Sequence, residues 1–511
     1  MAQTKKTSKV ELIHADSLNY DPEIYGKGIR VVFDNVEFKH TNTNLYCDSA
    51  FFNRDSNVIV AYGNIHIIQD DSIHLYGDEL TYLGNDNLAK IRKNVKMEKG
   101  NVTLLTDYLD YDREKHVGYY FNGGTVLNGE NTLKSDWGFY YPNQDEAFFK
   151  DTVTLHNDQF TLFSDTLKYD TKNEIARITG PTFIVTNTNT IYSEKGYYDT
   201  KKDYSQLLKN SYIQGEKQLL KGDTINYDKI TGIGEVFNNM ELIDTVNNII
   251  VKGNYGYYNE ITGASLSTKK AQMLQYQQGD TLYLHADTLR SDPVPETESR
   301  LIRAYHHVRF FRPNVQGVCD SMVYNMIDST NTMYYDPVIW SEGSQMTAQE
   351  IIMYNKNDLL DRVELKQSAF IVSLEDSALY DQIKGRDMMG YIRNNELFKI
   401  DVEGNAQTVY YPKDGDAIIG VNRAESSNMT IFFKNKKAQT IILRNSPAGN
   451  MNPPYILPTE DVRLKGFVWL EIHRPKNKED IFNNLVMPKM EARKSYDDYV
   501  DEGIGNIQPD D

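Results

Sequence analysis

The sequence predicts an all-β protein whose stacked strands build an elongated scaffold, and three observations carry that reading. A short motif recurs at a nearly constant spacing. Within each copy the apolar residues sit two apart, the period that places side chains on one face of a strand. The composition, with 36 Tyr and 20 Phe in 511 residues, suits pleated, half-buried strands.

The repeat comes first because missing it misreads the whole fold. Its unit is a small residue, an acid, then alternating apolar and aromatic residues, as in ADSLNYD from Ala15 to Asp21. The anchors are Asp16, Asp48, Asp78, Asp107, Asp136, Asp165, Glu194, Asp223, Asn254, Asp287 and Asp320, spaced 32, 30, 29, 29, 29, 29, 29, 31, 33 and 33 residues apart. Weaker copies follow at Glu350 and Asp387. A second motif runs in counterphase, as Val36/Phe38, Ile65/Ile67, Val95/Met97, Val153/Leu155, Phe183/Val185, Met240/Leu242 and Val308/Phe310, so each period of about 29 residues holds at least two strands. Leu18 and Tyr20, Phe52, Leu80 and Tyr82, Leu109 and Tyr111, Leu167 and Tyr169, Ile225 and Tyr227 are expected to stack into ladders lining one interior. Clusters such as YDREKH and YDTKNE between them have the chemistry of hairpin turns. The motif acids share the ladder face, which a charge tolerates only near a mouth or edge, or when hydrogen-bonded to a turn. Turn orientation is the favoured reading. Calcium repeats are the rival, but their Gly-rich nonapeptide is absent.

Along the chain, residues 1–9 form a polar stub and 10–290 the regular array. A loop at 291–299 carries two prolines that a central strand excludes. Less regular repeats occupy 300–475 and end in LKGFVWLEIHRP, read as a cap over the last layer. An acidic tail, 476–511, is expected to hold one short helix and a disordered end. The stub after Met1 resembles what signal cleavage leaves, so an export signal is expected to have preceded it. The competing reading is a chain that begins here.

Hydrophobic residues at 40% and charged residues at 25% allow a core. The net charge of −17 argues against tracking a nucleic-acid backbone. No run of about eighteen apolar residues marks a membrane helix. Cys47 and Cys319 occupy the small-residue slot of the motif, filled elsewhere by Ala, Gly, Ser or Thr, and read as small core residues. The ten histidines show no metal-ligand spacing, and His306 and His307, adjacent in a strand, should face opposite ways. Neither a nucleotide-binding loop nor a nucleophile motif occurs, and paired acids such as Asp70 and Asp71 are too common to mark a glycosidase. No catalytic residue, metal or cofactor is therefore expected.

The recurring G-D-x-L-x-Y together with GNIHI at Gly63–Ile67 resembles the OstA-like repeats of LptA and of the periplasmic part of LptD. The segments EGNAQTVYY, NRAESSNMTIFF and LKGFVWLEIHRP resemble the long OstA-like proteins of Bacteroidetes. The resemblance implies a β-jellyroll, two sheets folded into an open V, acting without catalysis as a periplasmic bridge from inner to outer membrane. Lipid A acyl chains of lipopolysaccharide would lie in a groove lined by the ladder residues above with Ile65, Val95, Val153 and Phe183. Its expected partners are jellyroll domains of the inner- and outer-membrane transport components, joined by edge-strand addition, and further copies of itself. The open edge Lys9–Tyr20 and the end near FVWLEIHRP are the expected contacts. The alternative is a ligand-free structural or adhesive β-solenoid.

Overall fold

A computed structural model describes residues 8–483, apart from 278, 298, 357–358, 377, 395, 416, 435–436, 454–457 and 459–461. Residues 1–7 of the stub and 484–511 of the tail lie outside the described residues. The described chain is β throughout, with three single-turn 3-10 helices at Pro142–Gln144, Glu471–His473 and Asp480–Phe482. It forms two compact units, Met1–Leu242 and Ile243–Asp511. The loop expected at 291–299 is a turn inside the second unit, closing a hairpin between Thr288–Pro293 and Arg300–Arg312.

Between Ile29 and Asp112 each repeat is two long strands. Ile29–His40, Thr43–Asn53, Val58–Gln69, Ile73–Leu83, Leu88–Lys99 and Val102–Asp112 pair antiparallel in sequence order. Every pairing slips once near mid-strand, for example between Tyr62 and Ile65. At alternate strands two consecutive residues there are left-handed: Asp34 and Asn35, Gly63 and Asn64, Lys93 and Asn94. Gly, Asn and Asp tolerate that conformation best. An inserted bulge bends its strand, so each strand gives one half to each of two sheets that meet along a line of kinks. In the first sheet lie the halves beside the turns at 54–57, 84–87 and 113–116. In the second lie those beside the turns at 41–42, 70–72 and 100–101. Past Asp112 the strand breaks at the kink. Val117–Tyr120 continues the first sheet and Gly124–Asn128 the second.

The motif acid explains the kink's recurrence. It lies at the kink itself, at neither mouth nor edge, and accepts a hydrogen bond from the second left-handed residue of the next strand. Asn35 reaches Asp16 at 2.6 Å, Asn64 reaches Asp48 at 2.9 Å, Asn94 reaches Asp78 at 2.6 Å, Thr152 reaches Asp136 at 2.6 Å and Asn239 reaches Asp223 at 2.9 Å. His306 and His307 are themselves such a left-handed pair, not alternating strand residues. Each meets a motif acid, His307 Asp287 at 2.8 Å and His306 Asp320 at 3.2 Å. The acid closing each motif makes the following turn: Asp170 Oδ1 accepts the amides of Lys172 and Asn173, and Asp112 those of Glu114 and Lys115.

In the second unit the expected cap is a strap. The segment 462–474 crosses the outer face of the second sheet instead of covering an end strand. A paired outer row, Gln316, Trp340, Gln345, Val372, Gln382 and Val409, receives it. Gln345 donates to the Val468 carbonyl at 2.8 Å and accepts the Leu470 amide at 2.6 Å. Gln382 does the same with Val462 at 2.8 Å and Leu464 at 2.9 Å. Leu464 buries against Phe370, Val372 and Val409, and Leu470 against Val318, Val338 and Trp340.

Candidate lipid-binding interior

Strand register joins the inward side chains of the first unit into unbroken rows. In the second sheet the row runs Phe38, Leu45, Ile67, Leu75, Met97, Leu104, Val126 and Leu133, each directly opposite the next. In the first sheet large and small residues alternate: Tyr82, Ala89, Tyr111, Gly118, Tyr140, Ala147, Tyr169, Ala176, Tyr198 and Ser205. The small residue leaves space for the ring on either side, which lets the row reach interior packing density. Burial raises the Tyr82, Tyr111, Tyr140, Tyr169 and Tyr198 phenols above their ordinary value, so all are protonated.

Of the residues expected to line the interior, Phe52, Ile65, Leu80, Tyr82, Val95, Leu109, Tyr111, Val153, Leu167, Tyr169 and Ile225 are buried between the sheets. Tyr227 is half-buried. Phe183 is the first correction: it is 42% exposed on the outer face, and Ile184 takes the interior place. The strand Thr182–Thr186 is apolar on both faces, so alternation could not choose. Pairing decides, because Leu162 faces Ile184 and Phe163 faces Phe183. The second correction concerns Leu18 and Tyr20, both 53% exposed. Among the described residues Ser17–Asn19 is a three-residue strand paired on one side only, to Ile29–His40, and Tyr20 lies beyond it.

The two rows of turns face each other across the mouth of this unit, and polar side chains join them. Asn57 accepts the Val10 amide at 2.9 Å. The Tyr82 hydroxyl lies 2.5 Å from His40 Nδ1, and Arg113 donates to both groups. Lys99 donates to the Pro142 carbonyl and lies 3.4 Å from Asp145. Asn131 donates to Tyr169 at 3.2 Å, Glu174 at 3.0 Å and Thr200 at 3.1 Å. Lys229 reaches Gln159 at 3.0 Å. His40 is held below its ordinary value by burial and by the neighbouring Arg113 charge, and is neutral, its Nδ1 accepting. No sequence signal marked these seam residues, because their partners lie up to 73 positions away.

The second unit repeats the topology with a looser interior. Val251, Met273, Leu284, Phe310, Gly317, Ile339, Met346, Ile371 and Ile383 form its second-sheet row. Val251, Met273, Leu282, Met346, Met353, Leu360, Ile383 and Leu397 are only partly buried there. Of the 15 methionines, only Met1, Met97 and Met240 precede residue 243, a signal visible in the sequence but not read from it. Methionine's flexible thioether fits irregular or changing apolar contents.

Cys47 and Cys319 are buried free thiols, and burial pushes the Cys47 thiol up to about 12. Their slot faces the residue after a kink, opposite Val36 and Val308. Where the slot is Gly77, a Cβ would come within 2.4 Å of Ile91, which is why size is limited there. No group of three metal-binding side chains occurs among the described residues, and no described helix is long and apolar enough to cross a membrane.

No curated protein matches this chain. Among solved structures it is similar to LptH, the LptA-homologous periplasmic component of the lipopolysaccharide transport device of Pseudomonas aeruginosa. That likeness has 13% identity and a TM-score of 0.22, covering 28% of this chain and 95% of LptH. The family described as OstA-like protein matches residues 7–165 and 166–276. These adjoining segments span more than half of the sequence and cover the kinks and rows of the first unit, so the chain belongs to the OstA-like protein family.

Proposed function

We propose that this chain is a non-catalytic periplasmic carrier of lipopolysaccharide, holding lipid A acyl chains between its sheets on their way from the inner to the outer membrane. The observation that carries the reading is the unbroken apolar row inside each unit of an OstA-like protein. Each methylene moved from water to such a lining gains about 0.8 kcal/mol, so continuity is what a long acyl chain requires. Its anionic sugars would remain outside. Neighbouring jellyrolls would add strands at the ends: among the described residues, Glu11–His14 and Ser17–Asn19 pair only with Ile29–His40. Among the described residues, Lys437–Arg444 and Ala448–Asn452 pair only with Val421–Lys434. Those two strands, rather than the segment FVWLEIHRP, are the C-terminal docking edge in this reading.

A ligand-free scaffold is the second reading, favoured by the side-chain-filled interior of the first unit. The two separate on lipid content. Photo-crosslinkers at Tyr111, Tyr169 and Tyr227 should capture lipopolysaccharide in the native host, and those at the outward Asp110 and Lys168 should not. Equal capture at both sets, with no lipid A extracted from purified protein, would favour the scaffold.

A further inference from the structure

The Arg113 guanidinium is buried in the seam of the first unit, 6% exposed, with no ion pair to a carboxylate among the described residues. Its donors go to neutral acceptors: the Tyr82 hydroxyl, His40 Nδ1 at 2.9 Å, the His40 carbonyl at 3.1 Å, Thr41 Oγ1 at 2.8 Å and Asn42 Oδ1 at 3.3 Å. Its Nε has no partner. Thr43 Oγ1, Gln69 Oε1 and Tyr111 Oη are buried and unpartnered as well. Thr43 and Gln69 are register partners, Gln69 Nε2 donates to the Arg113 carbonyl at 3.3 Å, and Tyr111 lies two residues before Arg113. This one seam therefore holds four of the nine buried polar atoms left unpaired among the described residues. The other ionisable groups here are Tyr82, Tyr140, His40, His116, Asp112 and Asp70, the last bonded by Asn42 and 3.9 Å from His116.

A buried cation with neutral partners beside a cluster of unpartnered polar atoms has the chemistry of an anion receptor. We propose that these groups bind a phosphoryl group, the seam parting to admit it. Two of its oxygens would take the guanidinium fork from Tyr82 and His40, the geometry in which Arg recognises phosphate. The Thr43 and Tyr111 hydroxyls would donate to the others, and Gln69 Oε1 would accept from a protonated oxygen. A carboxylate has too few oxygens to use all of these groups. Because the bonds from Arg113 to His40, Thr41 and Asn42 tie the two sheets together, occupancy loosens the mouth at the place where a headgroup would enter. The source is either the headgroup of an amphiphile, which rests on the carrier reading, or free phosphate, which does not.

Calorimetric titration of the full chain with inorganic phosphate, monododecyl phosphate and uncharged dodecanol tests this. Arg113→Gln should weaken both phosphates by about tenfold or more, as loss of a charged hydrogen-bond donor does, and Arg113→Lys should weaken them less. Tyr82→Phe, which removes a competing acceptor, should retain phosphate binding and guards against a folding artefact. Binding of monododecyl phosphate alone, lost in Arg113→Gln, supports the receptor and names the lipid source. A wild type that binds neither inorganic nor monododecyl phosphate, or binding unchanged in a folded Arg113→Gln, overturns the receptor. Dodecanol uptake reports on the carrier reading separately.

Discussion

Tyr82, Tyr111, Tyr140, Tyr169 and Tyr198 each stand beside an alanine, glycine or serine on the neighbouring strand, and that alternation packs the first unit. Ala89, fully buried between Tyr82 and Tyr111, has no space for a larger side chain. Ala89→Leu should therefore destabilise the protein by about 1–3 kcal/mol, read by urea unfolding. His40 gives a pH signature. Its folded value lies below the unfolded 6.5, so its contribution is complete above about pH 7 and is lost as pH falls through 6.5 toward the folded value. The difference in thermal midpoint between wild type and His40→Gln should thus shrink on acidification from pH 7.5. A difference that stays constant or grows would show that His40 is not held neutral in the seam. The interior tyrosines were legible in the sequence because their spacing is local. His40 and Arg113 were not, because a single histidine or arginine in a turn carries no period.

At the scale of the element, strap and edges are the informative parts. Gln345 is buried and satisfies two backbone groups of the strap at once. Gln345→Ala leaves both unpaired, a loss of about 1–3 kcal/mol, and should admit protease between residues 462 and 474 while most strands stay protected. Cleavage no faster than in wild type would mean that Leu464 and Leu470 hold the strap by themselves. At the other extreme, Glu11–His14 is an edge strand whose loss touches one neighbour. Ile13→Pro removes a backbone donor and should abolish pull-down of a partner jellyroll, with circular dichroism unchanged. Pull-down that survives would place docking on another surface. The sequence showed that FVWLEIHRP ends the repeats. It could not show that the segment lies flat on a sheet, because the glutamines that receive it are 80 or more residues away.

At the scale of the whole molecule, the two units share a topology and differ in filling. The first is packed with tyrosine and bridged across its mouth, whereas the second has an interior that is partly exposed and contains several methionines. If the carrier reading holds, crosslinkers at Met346 and Met353 should capture acyl chains at lower lipid concentration than those at Tyr111 and Tyr169. The seam must open before the latter are reached. The reverse order would make the first unit the entry compartment.

By itself the sequence determined the all-β class, the 29-residue period, the turn chemistry and most of the inward rows, because these follow from alternation and turn residues within a dozen positions. It also carried the OstA-like resemblance. Tertiary structure alone decided that the repeats bend at a kink, as continuous strands from Ile29 to Asp112, since the bend depends on an acid from one strand meeting a left-handed residue of the next. It decided that Phe183 faces outward, where both faces of the strand were apolar and only the register with Phe160–Asp170 could choose. It alone brought together the seam around Arg113 and the bed of the strap. Both are built from side chains far apart in sequence, whose meeting depends on how the sheets fold and not on any local pattern.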